Sequence, residues 1–309
     1  MSEDAPVESS PADADAVSTA FELFSHELRV DILFALWDAE RHALSFSTLQ
    51  RRVGERDSGK FNYHLSKLVG KFVGRTDDEY ELLYPGHRVI DAVRSGVLHR
   101  TVAVDPVTLE TPCAGCGDPL SFTYDGQNHL GRVGCLDCED IVVAFPFDPG
   151  GIQGRSDEAV VEAFDRRTRL FWRFALAGVC PVCAGVVEAG LTAAVGPELP
   201  THYTDDHPVT LHVDCRGCSF YNYPPLAAVV GFHPAVAGWL HDRGVDPRTT
   251  PVWAFDGVRD PDQLDVLSED PWAVAVPVRA GDETLRVHLD GALAVTALER
   301  RPAGASDGL

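Results

Sequence analysis

Four Cys-x-x-Cys pairs constrain this chain more than any other feature of its 309 residues. All eight cysteines fall into these pairs, and none of them precedes Cys113. Paired thiols at this spacing are typical of tight turns that present two thiolates to one metal ion, and they suit a reducing compartment. The pattern therefore predicts metal sites rather than disulfide bonds.

The spacing between the pairs predicts two tetrahedral zinc sites. Eighteen residues separate the first pair from the second, which matches a zinc ribbon, and 31 residues separate the third from the fourth, which suits a longer hairpin. Four thiolates leave no coordination position for water or substrate, so both Zn²⁺ ions are predicted to be structural. Exchange of pairs between the sites stays open. The predicted ligands are Cys113, Cys116, Cys135 and Cys138 for one site, and Cys180, Cys183, Cys215 and Cys218 for the other.

Other features of the cysteine-rich half have a functional and a structural interpretation. Cys180-Pro181-Val182-Cys183 resembles a redox motif, but that chemistry needs the motif to open a helix after a strand, and the matched fourth pair favours metal. Five histidines are interpreted as surface or capping residues rather than a further metal or effector site, and three aromatic residues as ribbon packing rather than a binding surface. These residues are His202, His207, His212, His233 and His241, and Phe220, Tyr221 and Tyr223.

Residues 19–100 carry a helical pattern followed by a hairpin. Apolar residues from Phe21 to Leu36 recur at three- and four-residue spacing and predict the first helix. A short helix from Ser45 to Val53 and a third over residues 60–72 follow. Strands at 73–75 and 80–84 form the predicted hairpin, and a last helix runs to Leu98. This order predicts a winged helix-turn-helix domain.

The charge of this segment is opposite to that of the whole chain. The net charge of the protein is −21, yet residues 51–75 contain seven basic and two acidic residues and all three lysines. Binding to duplex DNA releases counterions in proportion to the phosphates neutralised, so this positive patch predicts contact with double-stranded DNA. The candidate contact residues are Arg51, Arg52, Lys60, Asn62, Tyr63, His64, Lys67 and Arg75.

Three sequence motifs of this segment resemble those of the ArsR-type winged-helix family. They are Leu-Ser-Phe-Ser-Thr-Leu-Gln-Arg-Arg-Val at 44–53, Asn-Tyr-His-Leu-Ser-Lys-Leu at 62–68, and His-Glu-Leu-Arg-Val-Asp-Ile-Leu at 26–33. The resemblance implies that the first and last helices pair two subunits and that Arg75 contacts the DNA backbone. The metal-sensing Cys-x-Cys phrase of the founding members is absent here, so arsenic or cadmium sensing is not expected. The residues implied to enter the major groove are Asn62, Tyr63, His64 and Lys67.

The composition bears on compartment and chemistry. The chain contains 47 acidic and 26 basic residues. This composition resembles that of proteins from extremely halophilic archaea, whose acidic surfaces stay hydrated in molar salt. The charge-free run at 174–187 is shorter than the roughly 20 residues a bilayer requires, and no export signal opens the chain. We expect a soluble, cytoplasmic protein without a membrane partner. No catalytic motif predicts an enzyme.

The sequence predicts an α+β fold in two domains, a winged helix-turn-helix at 19–100 and a β-rich domain at 104–300. The second domain contains two similar zinc-ribbon-like units, about 104–175 and 176–245, with helices near 157–174 and 234–243 and closing strands at 272–278 and 284–298. Residues 1–18 and 301–309 are predicted to be disordered tails because they lack large apolar side chains.

The leading hypothesis is a homodimeric, sequence-specific transcriptional regulator. Its zinc-stabilised C-terminal domain would sense a small molecule or bind a protein effector. The alternative is a zinc-ribbon adaptor that binds protein or RNA without sequence-specific DNA recognition.

Overall fold

The computed structural model describes residues 14–193, 209–255, 258 and 264–302. Over these ranges the chain combines α-helices with antiparallel sheets, which confirms the predicted α+β class. Residues up to Arg100 form one unit, and residues from Thr101 onward form another.

The described part of the first unit is helical with one small sheet. β1, β3 and β2 lie in that order in the sheet, and both neighbouring pairs are antiparallel. The elements are α1 (Ala14–Glu22), α2 (Glu27–Trp37), β1 (Ala43–Ser45), α3 (Phe46–Arg52), α4 (Ser58–Leu68), β2 (Val73–Arg75), β3 (Glu79–Leu82) and α5 (Tyr84–Arg94).

Local capping explains where these helices begin. Nδ1 of His26 accepts the Leu28 amide at the start of α2, and Asp57 accepts two amides at the start of α4. Each cap satisfies backbone donors that have no partner inside the helix. The helices then bury apolar side chains at three- and four-residue spacing, including Ile32, Leu36 and Leu65, to form the core of this unit.

The first unit differs from the sequence prediction at several boundaries. The predicted first helix is two helices, because the chain leaves α1 at Glu22 and restarts at the His26 cap; Phe21 is 75% exposed rather than buried. The third helix ends at Leu68 because Val69 is extended and Gly70 has a φ of +83°. Strand β1 was not predicted. Residues 14–18, assigned to the disordered tail, belong to α1, and residues 1–13 lie outside the described residues.

The described part of the second unit contains three antiparallel sheets. Their strand orders are β4-β5-β6-β7, β10-β9-β8 and β11-β12-β13-β14. The strands are β4 (Val107–Pro112), β5 (Pro119–Asp125), β6 (Leu130–Cys135), β7 (Ile141–Pro146), β8 (Val187–Thr192), β9 (Thr210–Cys215), β10 (Tyr221–Asn222), β11 (Asp265–Glu269), β12 (Trp272–Ala280), β13 (Glu283–Asp290) and β14 (Val295–Pro302). The helices are α6 (Asp157–Leu176), α7 (Leu226–Val230) and α8 (Pro234–His241).

The order of elements around the cysteines repeats. In each case a Cys-x-x-Cys pair, a hairpin, a second pair and a strand are followed by helix. The registers correspond too: Leu120 pairs with Cys135 in the first hairpin, and Val187 pairs with Cys215 in the second. The copies differ because β4 precedes the first, and the long α6 has two short helices, α7 and α8, as its counterpart.

A buried ion pair connects α6 to the segment before β11. Asp165 and Arg169 are both buried and form an ion pair one helical turn apart. Asp165 also accepts the Val252 amide at 2.9 Å, and Arg169 donates to the Pro247 carbonyl at 2.7 Å. The Asp165 carboxylate and two of the three guanidinium nitrogens of Arg169 therefore have partners, whereas Nε of Arg169 is buried without one among the described residues.

A glycine permits the close packing of α6 on the first of these sheets. A Cβ atom at Gly131 in β6 would lie 2.6 Å from the ring of Phe164, a fully buried residue of α6. No larger residue fits without displacing that ring.

The closing strands also differ from the prediction. The single strand predicted at 284–298 is two strands, β13 and β14, which turn at residues 291–294. Arg301 and Pro302, assigned to the C-terminal tail, belong to β14, and residues 303–309 lie outside the described residues.

Candidate metal centres and nucleic-acid interface

The eight cysteines form the two predicted groups of four, without exchange of pairs between them. In each group all four Sγ atoms lie within 4.8 Å of one another. Two Sγ to Sγ distances in the first group are 3.6 Å for Cys113–Cys138 and 3.4 Å for Cys116–Cys135. In the second they are 3.6 Å for Cys180–Cys218 and 3.5 Å for Cys183–Cys215. The two groups are therefore positioned to bind metal ions.

These distances fit a metal centre and not a disulfide. A disulfide requires about 2.05 Å between its sulfur atoms. Four thiolates around an ion at about 2.3 Å form a tetrahedron whose edges are about 3.8 Å. The observed distances lie close to that edge length, and all eight cysteines are free thiols.

All four pairs share one backbone turn. The amide of the first cysteine donates to the carbonyl oxygen five residues later, at 2.7 to 2.9 Å. In three of the four turns the residue after the second cysteine has a positive φ: Gly117, Glu139 and Ala184. The turn directs further amides at sulfur, such as Gly217 to Cys215 at 3.3 Å. The four amide donors of the shared bond are those of Cys113, Cys135, Cys180 and Cys215, and the acceptors belong to Asp118, Asp140, Gly185 and Phe220.

Backbone amides favour ionisation of one sulfur atom in each group. The backbone amide of Cys138 is the main cause that lowers the pKa of Cys135 to about 7. Burial opposes ionisation of Cys215, but the Gly217 amide and the neighbouring thiols outweigh it and lower that pKa to about 7 as well. Each group therefore contains one cysteine that loses its proton readily near neutral pH. This favours metal binding, because metals bind the thiolate form.

The other residues singled out in this half do not form a site of the same kind. In the described ranges, groups of three or more metal-ligating side chains occur only at the two cysteine clusters. His202 and His207 lie outside the described residues. Phe220 is buried, as ribbon packing requires, whereas Tyr221 is exposed. The third cysteine pair follows α6 and leads into β8, so it does not open a helix as a redox motif would.

The candidate DNA contacts of α4 lie on two sides of the helix. Lys60, Asn62, Tyr63 and Lys67 are exposed. Nζ of Lys67 lies 5.4 Å from the centre of the Tyr63 ring, so these two side chains adjoin. Nζ of Lys60 forms an ion pair of 2.8 Å with the Glu55 carboxylate. A DNA phosphate would have to displace that carboxylate to bind Lys60.

His64 lies on the opposite, buried side of α4. It is 6% exposed, and its ring centre is 3.9 Å from that of His26. The reason is helical spacing: Phe61, His64, Leu65 and Leu68 recur as one inner stripe. This corrects the sequence interpretation, which placed His64 among the groove-facing residues.

One exposed residue of α4 was overlooked. Ser66 is exposed and lies three residues after Tyr63 and four after Asn62, so it shares their face. The same periodicity that buries His64 could have identified it.

The remaining candidate contacts lie on α3 and β2. Arg51 and Arg52 are exposed in the last turn of α3, and Arg52 donates to the Asp38 carbonyl at 3.0 Å. Arg75 is exposed at the end of β2, with its guanidinium 5.6 Å from the centre of the Tyr80 ring.

The fold and the cysteine groups define an α+β protein with two candidate four-cysteine metal centres. Residues 110–295, more than half of the chain, match the family described as a domain of unknown function (DUF7351), and the chain belongs to that family. Residues 17–93 match a second one, described as a domain of unknown function (DUF7347). No curated protein and no solved structure matches the chain. None of the described helices is long and apolar enough to span a membrane.

Proposed function

We propose that the protein is a sequence-specific, DNA-binding transcriptional regulator that acts as a homodimer and carries two structural Zn²⁺ ions. The observation that carries the proposal is the exposed face of α4, where Asn62, Tyr63, Ser66 and Lys67 adjoin on a helix buried along its other side. A helix that presents polar side chains in this way can place them against base edges in the major groove.

The topology of the first unit supports a winged helix of the ArsR type. Three helices, α2, α3 and α4, precede the hairpin of β2 and β3, and β1 between α2 and α3 completes the sheet beside β3. In such a domain the third helix enters the major groove and the hairpin contacts the backbone. Arg75 occupies the hairpin here.

Charge supports the same surface. Residues 51–75 have a net charge of +5 in a chain of −21. An acidic protein avoids nucleic acid unless a local positive surface offsets the repulsion. In molar salt the phosphate contribution falls, so Asn62, Tyr63 and Ser66 would carry more of the affinity through base contacts.

Exposed apolar residues support the homodimer. Phe21 on α1, Tyr84 at the start of α5 and Leu98 just after α5 are 75%, 74% and 67% exposed. These are the helices that the family resemblance assigns to subunit pairing. Burial of large apolar side chains is the main favourable contribution to such an interface.

The cysteine groups support structural zinc. Each offers four thiolates at tetrahedral spacing, which is the ligand set that Zn²⁺ prefers for structural sites. A bound Zn²⁺ would stabilise the hairpins on either side, because it would hold their four thiolates together. The site would be structural, because four thiolates leave no coordination position for a reacting group.

Binding to the DNA upstream of its own coding region tests the proposal. Fluorescence anisotropy of the full-length protein in molar KCl, against a scrambled duplex, should show a clear preference for the upstream sequence. Replacing Asn62 and Lys67 with alanine should weaken specific binding at least tenfold, since one base contact contributes about 1–3 kcal/mol. Arg248→Ala, which removes one positive charge from an exposed position of the second unit, is the matched control. Equal binding to both duplexes by folded, metal-loaded protein would overturn the proposal.

That last result would favour the adaptor function instead. Leu170 and Phe174 on α6 and Val182 and Val186 around the third cysteine pair are all exposed. Exposed apolar residues this numerous on one unit suit a protein partner.

A further inference from the structure

The second unit contains a cleft that neither metal centre uses. It has a volume of about 530 Å³, within the range of small-molecule sites. The end of α6, strand β8, the segment between α7 and α8, and the turn between β13 and β14 form its walls. Its lining includes the apolar side chains of Leu176, Val187, Val229, Phe232 and Leu293, which lie beside polar groups of the same cleft.

A cationic side chain stands at this cleft without a carboxylate partner. Arg173, in the last turn of α6, lines the cleft and is exposed. Its guanidinium lies 5.8 Å from the centre of the Phe232 ring, which places it on the same wall as that residue. The other arginines of α6, at 166, 167 and 169, each pair with a carboxylate, whereas no described carboxylate pairs with Arg173.

The residue after Phe232 adds a hydrogen-bonding group. His233 lines the cleft, and its Nδ1 atom is buried without a hydrogen-bond partner among the described residues. His233 is also the N-cap of α8, but its side chain does not cap that helix. Because Pro234 has no N–H, the first turn of α8 offers only the amides of Ala235 and Val236, and the helix dipole adds positive potential there. A buried nitrogen without a partner is costly unless a ligand or water satisfies it.

We propose that this cleft binds a small organic carboxylate with an apolar body. Arg173 and the His233 end of α8 would hold the carboxylate, and the walls around Val187 and Phe232 would hold the apolar part. Arginine suits this ligand because its planar donors match the two carboxylate oxygens. The inference concerns the second unit only and stands whether or not the first unit binds DNA.

Titration of the full-length, metal-loaded protein tests the site. We would use butyrate, benzoate and 4-phenylbutyrate as probes and follow each by saturation-transfer NMR and calorimetry. 4-Phenylbutan-1-ol, which keeps the apolar body but lacks the charge, is the matched ligand control. We expect saturable binding of at least one acid and at least tenfold weaker binding of the alcohol.

Three variants locate the binding. Arg173→Ala should weaken binding of the acid at least tenfold, whereas Arg166→Ala removes the same charge from an exposed position of α6 and should not change it. Ala189→Phe, on the exposed lining of β8, should block the cleft while leaving both charged groups intact. Failure of all three acids to bind, equal binding of acid and alcohol, or unchanged binding by Arg173→Ala would each overturn the inference.

Discussion

His64 shows how one buried titratable residue links the candidate DNA-binding helix to pH. Burial lowers the pKa of this imidazole below its ordinary value of 6.5, and the positive charges of His26, Arg29 and Lys60 act in the same direction. His64 therefore binds a proton more readily in the unfolded chain than in the folded protein. The resulting stability is present above pH 6.5 and is lost as the pH falls toward the folded pKa.

We expect His64→Leu to reduce this pH dependence. The apolar side chain fills the same inner stripe, and it removes the buried Nδ1 atom, which has no hydrogen-bond partner in the described part of the chain. Thermal unfolding of the wild type and the variant at pH 7.5 and pH 5.5 checks this. The fall in melting temperature between the two pH values should be smaller in the variant; equal falls would show that His64 does not contribute.

The cysteines allow the two centres to be separated residue by residue. Because each candidate centre has its own four thiolates, we expect Cys116→Ser to lower the bound metal by one ion per chain and to leave the second group loaded. Cys183→Ser is the matched change in the other group. Elemental analysis of purified protein measures the result, and loss of both ions from either variant would contradict independent sites.

At the scale of single elements, α6 allows the stability contributions of a buried and an exposed ion pair to be compared within one helix. Asp165→Ala leaves the buried Arg169 guanidinium without its carboxylate and removes the acceptor of the Val252 amide. Breaking a buried pair from one side typically costs about 3–5 kcal/mol of the free energy of unfolding.

The control for that change is Glu162→Ala, which breaks the exposed ion pair with Arg166 on the same helix. An exposed pair contributes roughly 0–1 kcal/mol. Urea unfolding of both variants measures the difference. Similar losses of stability in the two variants would mean that the connection between α6 and the 247–252 segment is unimportant.

Individual elements also show what a sequence can predict. The start of α6 follows from the Ser156 cap and the apolar period after it, and the prediction ends only two residues before Leu176. Strand β1, with three residues, has no periodicity of its own and exists because it pairs with β3. Likewise, the division of 284–298 into β13 and β14 depends on the pairing register, which local composition does not encode.

The candidate sites follow the same division. Cysteine spacing predicts which residues ligate, because the turn is local, but the partner of each pair depends on how the hairpins fold. The exposed set of α4 follows from helical periodicity alone, which replaces His64 with Ser66. The cleft at Arg173 joins residues of α6, β8, α7 and two connecting segments and leaves no trace in the sequence.

For the whole molecule, the proposed homodimer is the property most open to direct measurement. Replacing Phe21 and Leu98 with aspartate introduces charge on the exposed apolar surface that we assign to subunit pairing. We expect the variant to be monomeric in light scattering coupled to gel filtration, at the concentration where the wild type is dimeric. Leu267→Asp, an exposed leucine of β11, should leave the mass unchanged. A monomeric wild type would contradict the homodimer.

The contact between Gly131 and Phe164 has a consequence for how this family can evolve. Because the ring occupies the space that a methyl group would need, the two positions cannot drift separately. A lineage that acquires alanine at the β6 position must first, or at once, accept a smaller side chain on the helix. The aligned family should therefore show these columns changing together, although Phe164 lies 33 positions after Gly131 along the chain.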